Sequence, residues 1–256
     1  MKKTLIQIYE IQSPKEAEIV ISTGIDHVGS VLLSDANYGS LKETISFVKE
    51  KGAKSSLIPL FNDTDAVCQA LLDLKPDIVH FCSTFTDIKD KDAHIKKGIS
   101  LQKSVKKYFP EISIMRSIEI AGPGFGHIIP SLDTAKAFQP FSDFFLTDTW
   151  PGTGSESDKT DPVPGFVGIT GQICDWDIAA KLVSQSSIPV ILAGGISPEN
   201  VFFAILKTKP YGVDSCTLTN AKDDKGKTIR FKKDKNLVKA MVNESRRADI
   251  LLYGEK

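Results

Sequence analysis

The sequence predicts a (β/α)8 TIM barrel built as a single domain over residues 1–256. Three observations predict it. The length, 256 residues, is close to the roughly 250 of an eightfold βα barrel. Short apolar runs, many of them β-branched, alternate with amphipathic runs of helical length from end to end. No low-complexity segment or linker divides the chain. The structural rival is a doubly wound open sheet, but the first strand lacks the glycine-rich turn that such a sheet uses.

The strands read as Thr4–Tyr9, His27–Leu33, Ser55–Phe61, Ile78–Cys82, Ile112–Ile118, Asp143–Thr147, Ile188–Ala193 and Gly212–Thr217. Most are short and apolar, as strands buried on both faces are. The helices read as Pro14–Thr23, Leu41–Lys51, Asp65–Leu74, Asp92–Tyr108, Leu132–Phe138, Trp176–Gln185, Pro198–Leu206 and Lys235–Ala248. Ser13-Pro14-Lys15-Glu16 supplies an N-cap, a proline at the first helical position and a glutamate to close a capping box. Ser40-Leu41-Lys42-Glu43 repeats the box, and Ser197-Pro198 carries the cap and the proline. Two strand-to-helix loops are long, about 119–130 and 149–174, and a barrel puts both on its functional face.

Composition narrows the function. Lys and Arg number 32 and Asp and Glu number 32, so no net field gathers nucleic acid or an anionic membrane. The Lys222–Lys235 run is offset by Asp223, Asp224 and Asp234 and reads as a solvated surface. The opening turns polar too early for a secretion signal. No apolar run reaches the roughly 20 residues of a membrane helix. Cys68, Cys82, Cys174 and Cys216 are widely spaced, without a CxxC pair. A reduced, cytoplasmic protein is expected, as a monomer or homodimer. The histidines and cysteines lack metal-ligand spacing, and neither metal nor organic cofactor is expected.

Chemistry concentrates on two strand ends. Pro189-Val-Ile-Leu-Ala-Gly-Gly-Ile-Ser-Pro-Glu-Asn-Val201 is a buried strand ending in Gly194-Gly195. Bare glycine backbone lets an anion approach, and barrels commonly hold phosphate after strands seven and eight. The tight turn alone also explains the glycines. Leu146-Thr147-Asp148-Thr149 puts a carboxylate at the end of strand six, where catalytic groups sit. Alternation along the strands gathers Tyr9, Cys82, Asp148 and Cys216 at the mouth, with Arg116 and Asp214 as a polar layer below. His80 lies inside a core strand, where a satisfied core histidine is the plainer reading. Cys82 and Cys216 read equally as small buried fillers. His127, in the Gly-rich loop, reaches the site only from above.

These motifs resemble the phosphoribosylanthranilate isomerase family along nearly the whole chain. Ser13-Pro14-Lys15-Glu16-Ala17 and Thr23-Gly24-Ile25-Asp26-His27-Val28-Gly29 match its first βα unit. Asn62 after strand three, Phe145-Leu146-Thr147-Asp148-Thr149, Gly152-Thr153-Gly154, Asp175-Trp176 and Gly212-Val213-Asp214 have counterparts there. Leu192-Ala193-Gly194-Gly195-Ile196-Ser197-Pro198-Glu199-Asn200-Val201 is the fullest match. The resemblance implies a barrel performing an Amadori rearrangement, with Asp148 as acid and the strand-seven glycines on phosphate.

The departures are as informative. The family's first strand ends Lys-Ile-Cys-Gly, with the Cys as base; here it reads Gln7-Ile8-Tyr9-Glu10. A phenol, with a reference pKa near ~10, is a poor base at neutral pH. Ser34-Asp35-Ala36-Asn37-Tyr38 stands where the family has an Arg. His80-Phe81-Cys82-Ser83 replaces Gln-Leu-His-Gly, and Cys216-Thr217-Leu218-Thr219-Asn220 replaces Ser-Ser-Gly-Val-Glu.

The sequence therefore predicts an enzyme acting on a small phosphorylated metabolite by acid/base chemistry of isomerase or lyase type. Asp148, Tyr9 and Cys82 are the catalytic candidates. Gly194, Gly195, Cys216, Thr217, His80, Arg116 and Asp214 are the substrate-binding ones. A non-catalytic phosphometabolite-binding or assembly protein on the same barrel is the alternative, and a true phosphoribosylanthranilate isomerase with a replaced base is a third.

Overall fold

A computed structural model describes residues 3–33, 38–86, 89–152, 165, 166, 168 and 170–254. Eight parallel strands close on themselves in chain order, with β1 hydrogen-bonded to β8. They are β1 (Leu5–Ile8), β2 (His27–Leu32), β3 (Lys54–Pro59), β4 (Ile78–Phe81), β5 (Ser113–Ala121), β6 (Phe144–Trp150), β7 (Val190–Leu192) and β8 (Gly212–Ser215). The helices are α1 (Pro14–Ile21), α2 (Tyr38–Glu50), α3 (Thr64–Leu74), α4 (Lys91–Tyr108), α5 (Ser131–Phe138), α6 (Trp176–Gln185), α7 (Val201–Thr208) and α8 (Lys235–Tyr253). The (β/α)8 barrel expected from the sequence is the fold.

Period-two alternation sorts the strand residues. Tyr9, Ile78, Met115, Leu146, Ile191 and Ala193 pack on one another inside the barrel. Ile6, Ile8, Val28, Leu192 and Val213 face outward onto Ala17, Val20, Val201, Ala204, Val238 and Met241. Each strand thus buries both faces, which is why its sequence reads as a continuous apolar run.

The N-terminal rim is closed by a repeated device. Asp26, Asp77 and Asp143 precede β2, β4 and β6, and each accepts the backbone N–H of the strand before its own. The donors are Ile6 (2.8 Å), Ser55 (2.9 Å) and Ile114 (2.8 Å). Near the chain ends, Asp249 of α8 accepts both the N–H (3.0 Å) and the hydroxyl (2.6 Å) of Thr4. Arg246 donates to Asp249 (3.0 Å) and to the Thr4 carbonyl (2.6 Å). These bonds satisfy edge groups at the rim opposite the functional one.

Several local expectations need correction. Ser13 caps α1, accepting the N–H of Glu16 at 3.3 Å. Glu16, however, takes the N–H of Lys233. Ser40 caps nothing: α2 begins at Tyr38, and the Ser40 hydroxyl donates to the Gln12 carbonyl. After β7, Ser197–Asn200 forms a turn in which Asn200 accepts the Ser197 N–H at 2.9 Å, so α7 starts only at Val201. β5 and β6 run to Ala121 and Trp150, three residues beyond the expected ends, because they stay paired as far as those residues.

An antiparallel pair is inserted between β8 and α8: β9 (Asn220–Lys222) and β10 (Thr228–Lys233). The Lys222–Lys235 run, expected to be plain surface, is therefore divided. Residues Lys222–Lys227 at its tip are exposed, but Lys233 is only 4 % exposed. Its Nζ donates to the Cys216 carbonyl at 2.8 Å and to Asn220. Among the described residues no helix is long and apolar enough to cross a membrane.

Candidate active site

The C-terminal ends of the strands open into a cavity enclosing about 840 Å³ of empty space, open solvent included. Tyr9 and Glu10 follow β1, Asp148 is on β6, Gly194 and Gly195 follow β7, and Asp214 is on β8; all six line it. His80, Cys82, Cys216 and Thr217 line it as well. Of the ten residues singled out from the sequence, Arg116 alone is absent from this wall.

Asp148 is half-buried, and its Oδ1 accepts the N–H of Thr149 at 2.8 Å. The loop after β6 passes over it. A Cβ built on Gly168 would stand 3.1 Å from Asp148 Oδ2, and Gly168 has φ +137°. Glycine at that point lets the backbone lie on the carboxylate.

Asp214 lies deeper and is 6 % exposed. Burial pushes its carboxyl pKa up to about 7, and the charge of Asp148 adds to the rise. The Gln7 amide opposes it by donating to Oδ1 at 3.1 Å. A buried carboxyl beside another carboxylate titrates high because both effects disfavour its charge.

Tyr9 occupies the expected place but is tied. Its hydroxyl bonds Ser56 Oγ (2.6 Å) and His80 Nδ1 (2.7 Å), while His80 Nε2 meets Ser117 Oγ (2.8 Å). Burial drives the phenol pKa well above its ordinary value. Burial, aided by the Arg116 charge, lowers that of His80 to about 3. Both groups are neutral at pH 7, and neither suits a base there. The Tyr9 ring lies against Gly29, where a Cβ would come within 2.1 Å of it. Tyr9→Phe is expected to leave buried Ser56 and His80 short of a partner. The cost is about 1–3 kcal/mol, read as a lower urea midpoint with an unchanged slope.

The thiols are poor bases as well. Burial pushes Cys82 up to about 12, with Asp148 adding to it. Burial likewise lifts Cys216 well above the ordinary thiol range. Thr217 begins a 3-10 turn, Thr217–Thr219, at the mouth.

Gly194 (φ +88°) and Gly195 (φ +61°) both hold left-handed backbone. A Cβ on Gly195 would stand 2.6 Å from the backbone of Gln172 and Ile173. The close approach that demands glycine here is made by the returning β6–α6 loop, which leaves their backbone on the cavity wall.

Arg116 belongs elsewhere. Inward and outward residues alternate along β5, so Met115 and Ser117 point inward and Arg116 points out toward the helices. Its guanidinium lies over Phe85 (4.3 Å) and Phe138 (4.8 Å) and donates to the Ser83 carbonyl. It is a buried prop under the loop after β4, and the expected polar layer with Asp214 is made by Gln7 and His27 instead. His127 is exposed and outside the cavity wall. Its loop is bent onto the start of α6, where Gly124 and Gly126 donate to Asp175 (2.9 and 3.4 Å). Asn62 lines a neighbouring cavity beside α4. The Ser34–Asn37 segment and Thr153-Gly154 lie outside the described residues.

Sequence reasoning passed over Glu10. It is 1 % exposed, has φ +65°, and is ion-paired with Arg230 of β10. The signal was present, since Glu10 stands where the resembling family has glycine.

The family model for N-(5'-phosphoribosyl)anthranilate isomerase matches residues 160–244. N-(5'-phosphoribosyl)anthranilate isomerase 2 of Methanosarcina mazei is 39% identical over 131 residues. That match spans 50% of this chain and 51% of the relative, about half its length. Isomerase 1 of the same organism is 25% identical, with 98% of each chain covered. A solved phosphoribosyl anthranilate isomerase in complex with reduced 1-(O-carboxyphenylamino)-1-deoxyribulose 5-phosphate superposes with a TM-score of 0.64 at 15% identity. It covers 95% of this chain and 99% of that one, a likeness of fold.

Proposed function

We propose that this chain, which is similar to phosphoribosylanthranilate isomerases, isomerises a ribose 5-phosphate conjugate by acid/base chemistry, with N-(5'-phosphoribosyl)anthranilate as the first substrate to test. One observation carries the reading. Asp148 at the end of β6, Asp214 in β8 and the Gly194–Gly195 turn after β7 line a single cavity on one rim.

The chemistry follows from that grouping. Asp148 hands a proton to the furanose ring oxygen, and the C1–oxygen bond opens to an iminium. A carboxylate then removes the proton from C2; its electrons form the C1–C2 double bond and quench the iminium. The resulting enolamine tautomerises to the amino ketose. Asp214 fills the acceptor role better than Tyr9, Cys82 or His80, because a pKa of about 7 keeps both its forms populated near neutrality. The phosphate rests against the glycine turn, whose backbone lines the cavity. Cys216 and Thr217 follow the neighbouring strand β8 and line the same cavity, as do Tyr9, His80 and Cys82.

The tied Tyr9 phenol favours a second reading, a binder of phosphorylated metabolites without turnover. The two separate on one assay. Purified protein is mixed with N-(5'-phosphoribosyl)anthranilate, and formation of the amino ketose is followed. Catalytic conversion supports the enzyme. Binding of the phosphosugar with no conversion supports the binder.

A further inference from the structure

We infer that Glu10 is a substrate-contacting residue, whose carboxylate accepts a hydrogen bond from a hydroxyl of the sugar part of a sugar phosphate; the inference rests on the functional reading above. The argument begins with the backbone. Leu5 and Tyr9 point into the barrel and Ile6 and Ile8 point out, so simple alternation would send Glu10 outward. It does not go there. Glu10 holds φ +65°, a conformation that residues other than glycine adopt rarely. As a result two consecutive residues, Tyr9 and Glu10, line the same cavity. Backbone strain of this kind persists where the surrounding structure enforces it, and it concentrates at functional sites.

The carboxylate itself is half used. Arg230, reaching over from β10, donates Nε–H to Glu10 Oε1 at 2.9 Å and pairs with the same oxygen through its other nitrogen. Oε2 is buried and has no hydrogen-bond partner among the described residues. The Cys216 thiol hydrogen-bonds the Glu10 carboxylate, but a thiol is a weak donor. A buried carboxylate oxygen calls for a strong donor. The cavity wall that Glu10 shares with Asp148 and Gly194–Gly195 puts a bound sugar beside it. The unpartnered oxygen is an acceptor, so a neutral donor such as a sugar hydroxyl is the complementary ligand group.

The alternative is that Glu10 only latches the β9–β10 hairpin through Arg230. Two variants separate these roles. Glu10→Gly removes the carboxylate and suits the positive φ, so the fold is preserved. Arg230→Gln breaks the latch and keeps the carboxylate. Ribose 5-phosphate and inorganic phosphate are titrated by calorimetry into the wild type and both variants. The expected result is that Glu10→Gly weakens ribose 5-phosphate about tenfold and changes inorganic phosphate less than twofold, whereas Arg230→Gln keeps the wild-type preference for the sugar. Equal affinity of Glu10→Gly and wild type for ribose 5-phosphate overturns the inference. So does a loss in Arg230→Gln that equals the loss in Glu10→Gly, which would make Glu10 a latch. If the wild type binds neither probe, the phosphosugar reading of the cavity fails and takes this inference with it.

Discussion

Replacing Asp148 with Asn is expected to lower turnover by roughly 10²–10⁴-fold while leaving the affinity for inorganic phosphate within about twofold. Asn fills the same volume and can still accept the Thr149 N–H, so the fold has no reason to change. What it cannot do is hand over a proton. In the proposed sequence that proton converts the ring oxygen into a leaving group, while Asp214 is engaged as the acceptor of the C2 proton. Burial holds the Cys82 and Cys216 thiols as poor partners for proton transfer near neutrality. The measurement is kcat and KM for wild type and variant with N-(5'-phosphoribosyl)anthranilate, beside a phosphate titration. A variant retaining more than a tenth of wild-type turnover would remove Asp148 from the chemistry.

Asp214→Asn is expected to act in opposite directions on stability and on turnover. The folded carboxyl titrates at about 7, against roughly 3.9 for an unperturbed aspartate. A folded-state pKa raised in this way means that the folded protein binds the proton more tightly than the unfolded chain. The associated stability is fully present below pH ~4 and falls away as pH rises through about 7. Above that pH the folded state carries a buried charge held chiefly by the Gln7 amide. Removing the charge should stabilise the protein at pH 8 by a few kcal/mol, at about 1.4 kcal/mol for each pH unit of displacement. At pH 4 the variant should match the wild type. Urea midpoints at the two pH values test this. Turnover should fall at every pH, and the limb of the wild-type pH–rate profile near 7 should vanish. Equal stability differences at pH 4 and 8 would show that the carboxyl does not titrate between them.

The two histidines in the barrel contribute with the opposite sign. Burial holds His27 at about 4 and His80 at about 3 when folded, against 6.5 unfolded. Their stabilising effect is present above pH 6.5 and is lost as pH falls through those values. Asp214 and the histidines therefore offset one another between about pH 4 and 6.5, and the variant comparison isolates the aspartate.

Architecture was readable in the chain because it rests on patterns that local sequence carries. Buried strands such as Val190–Leu192 announce themselves as apolar runs, and Ser13-Pro14 marks the start of α1. The glycines after β7 and Asp148 at the end of β6 were readable because a barrel assigns function to strand ends. Other features depend on three-dimensional neighbours. Arg116 looked like a cavity residue, but inward and outward residues differ by one position, and a reading that slips by one position reverses every side chain. The β9–β10 pair was hidden in a run of alternating charges whose tip is in fact exposed. Glu10 was hidden for a different reason. A left-handed backbone at a residue other than glycine breaks the alternation from which facing is inferred, and its one trace in the sequence is that it replaces the glycine of the resembling family.

Growth of a tryptophan auxotroph lacking phosphoribosylanthranilate isomerase, supplied with this chain, tests the shared cavity of carboxylates and glycine turn most directly. The account predicts that the wild-type chain restores growth without tryptophan and that Asp148→Asn, expressed to the same soluble level, does not. No growth with soluble wild-type protein, or equal growth with both chains, would contradict it.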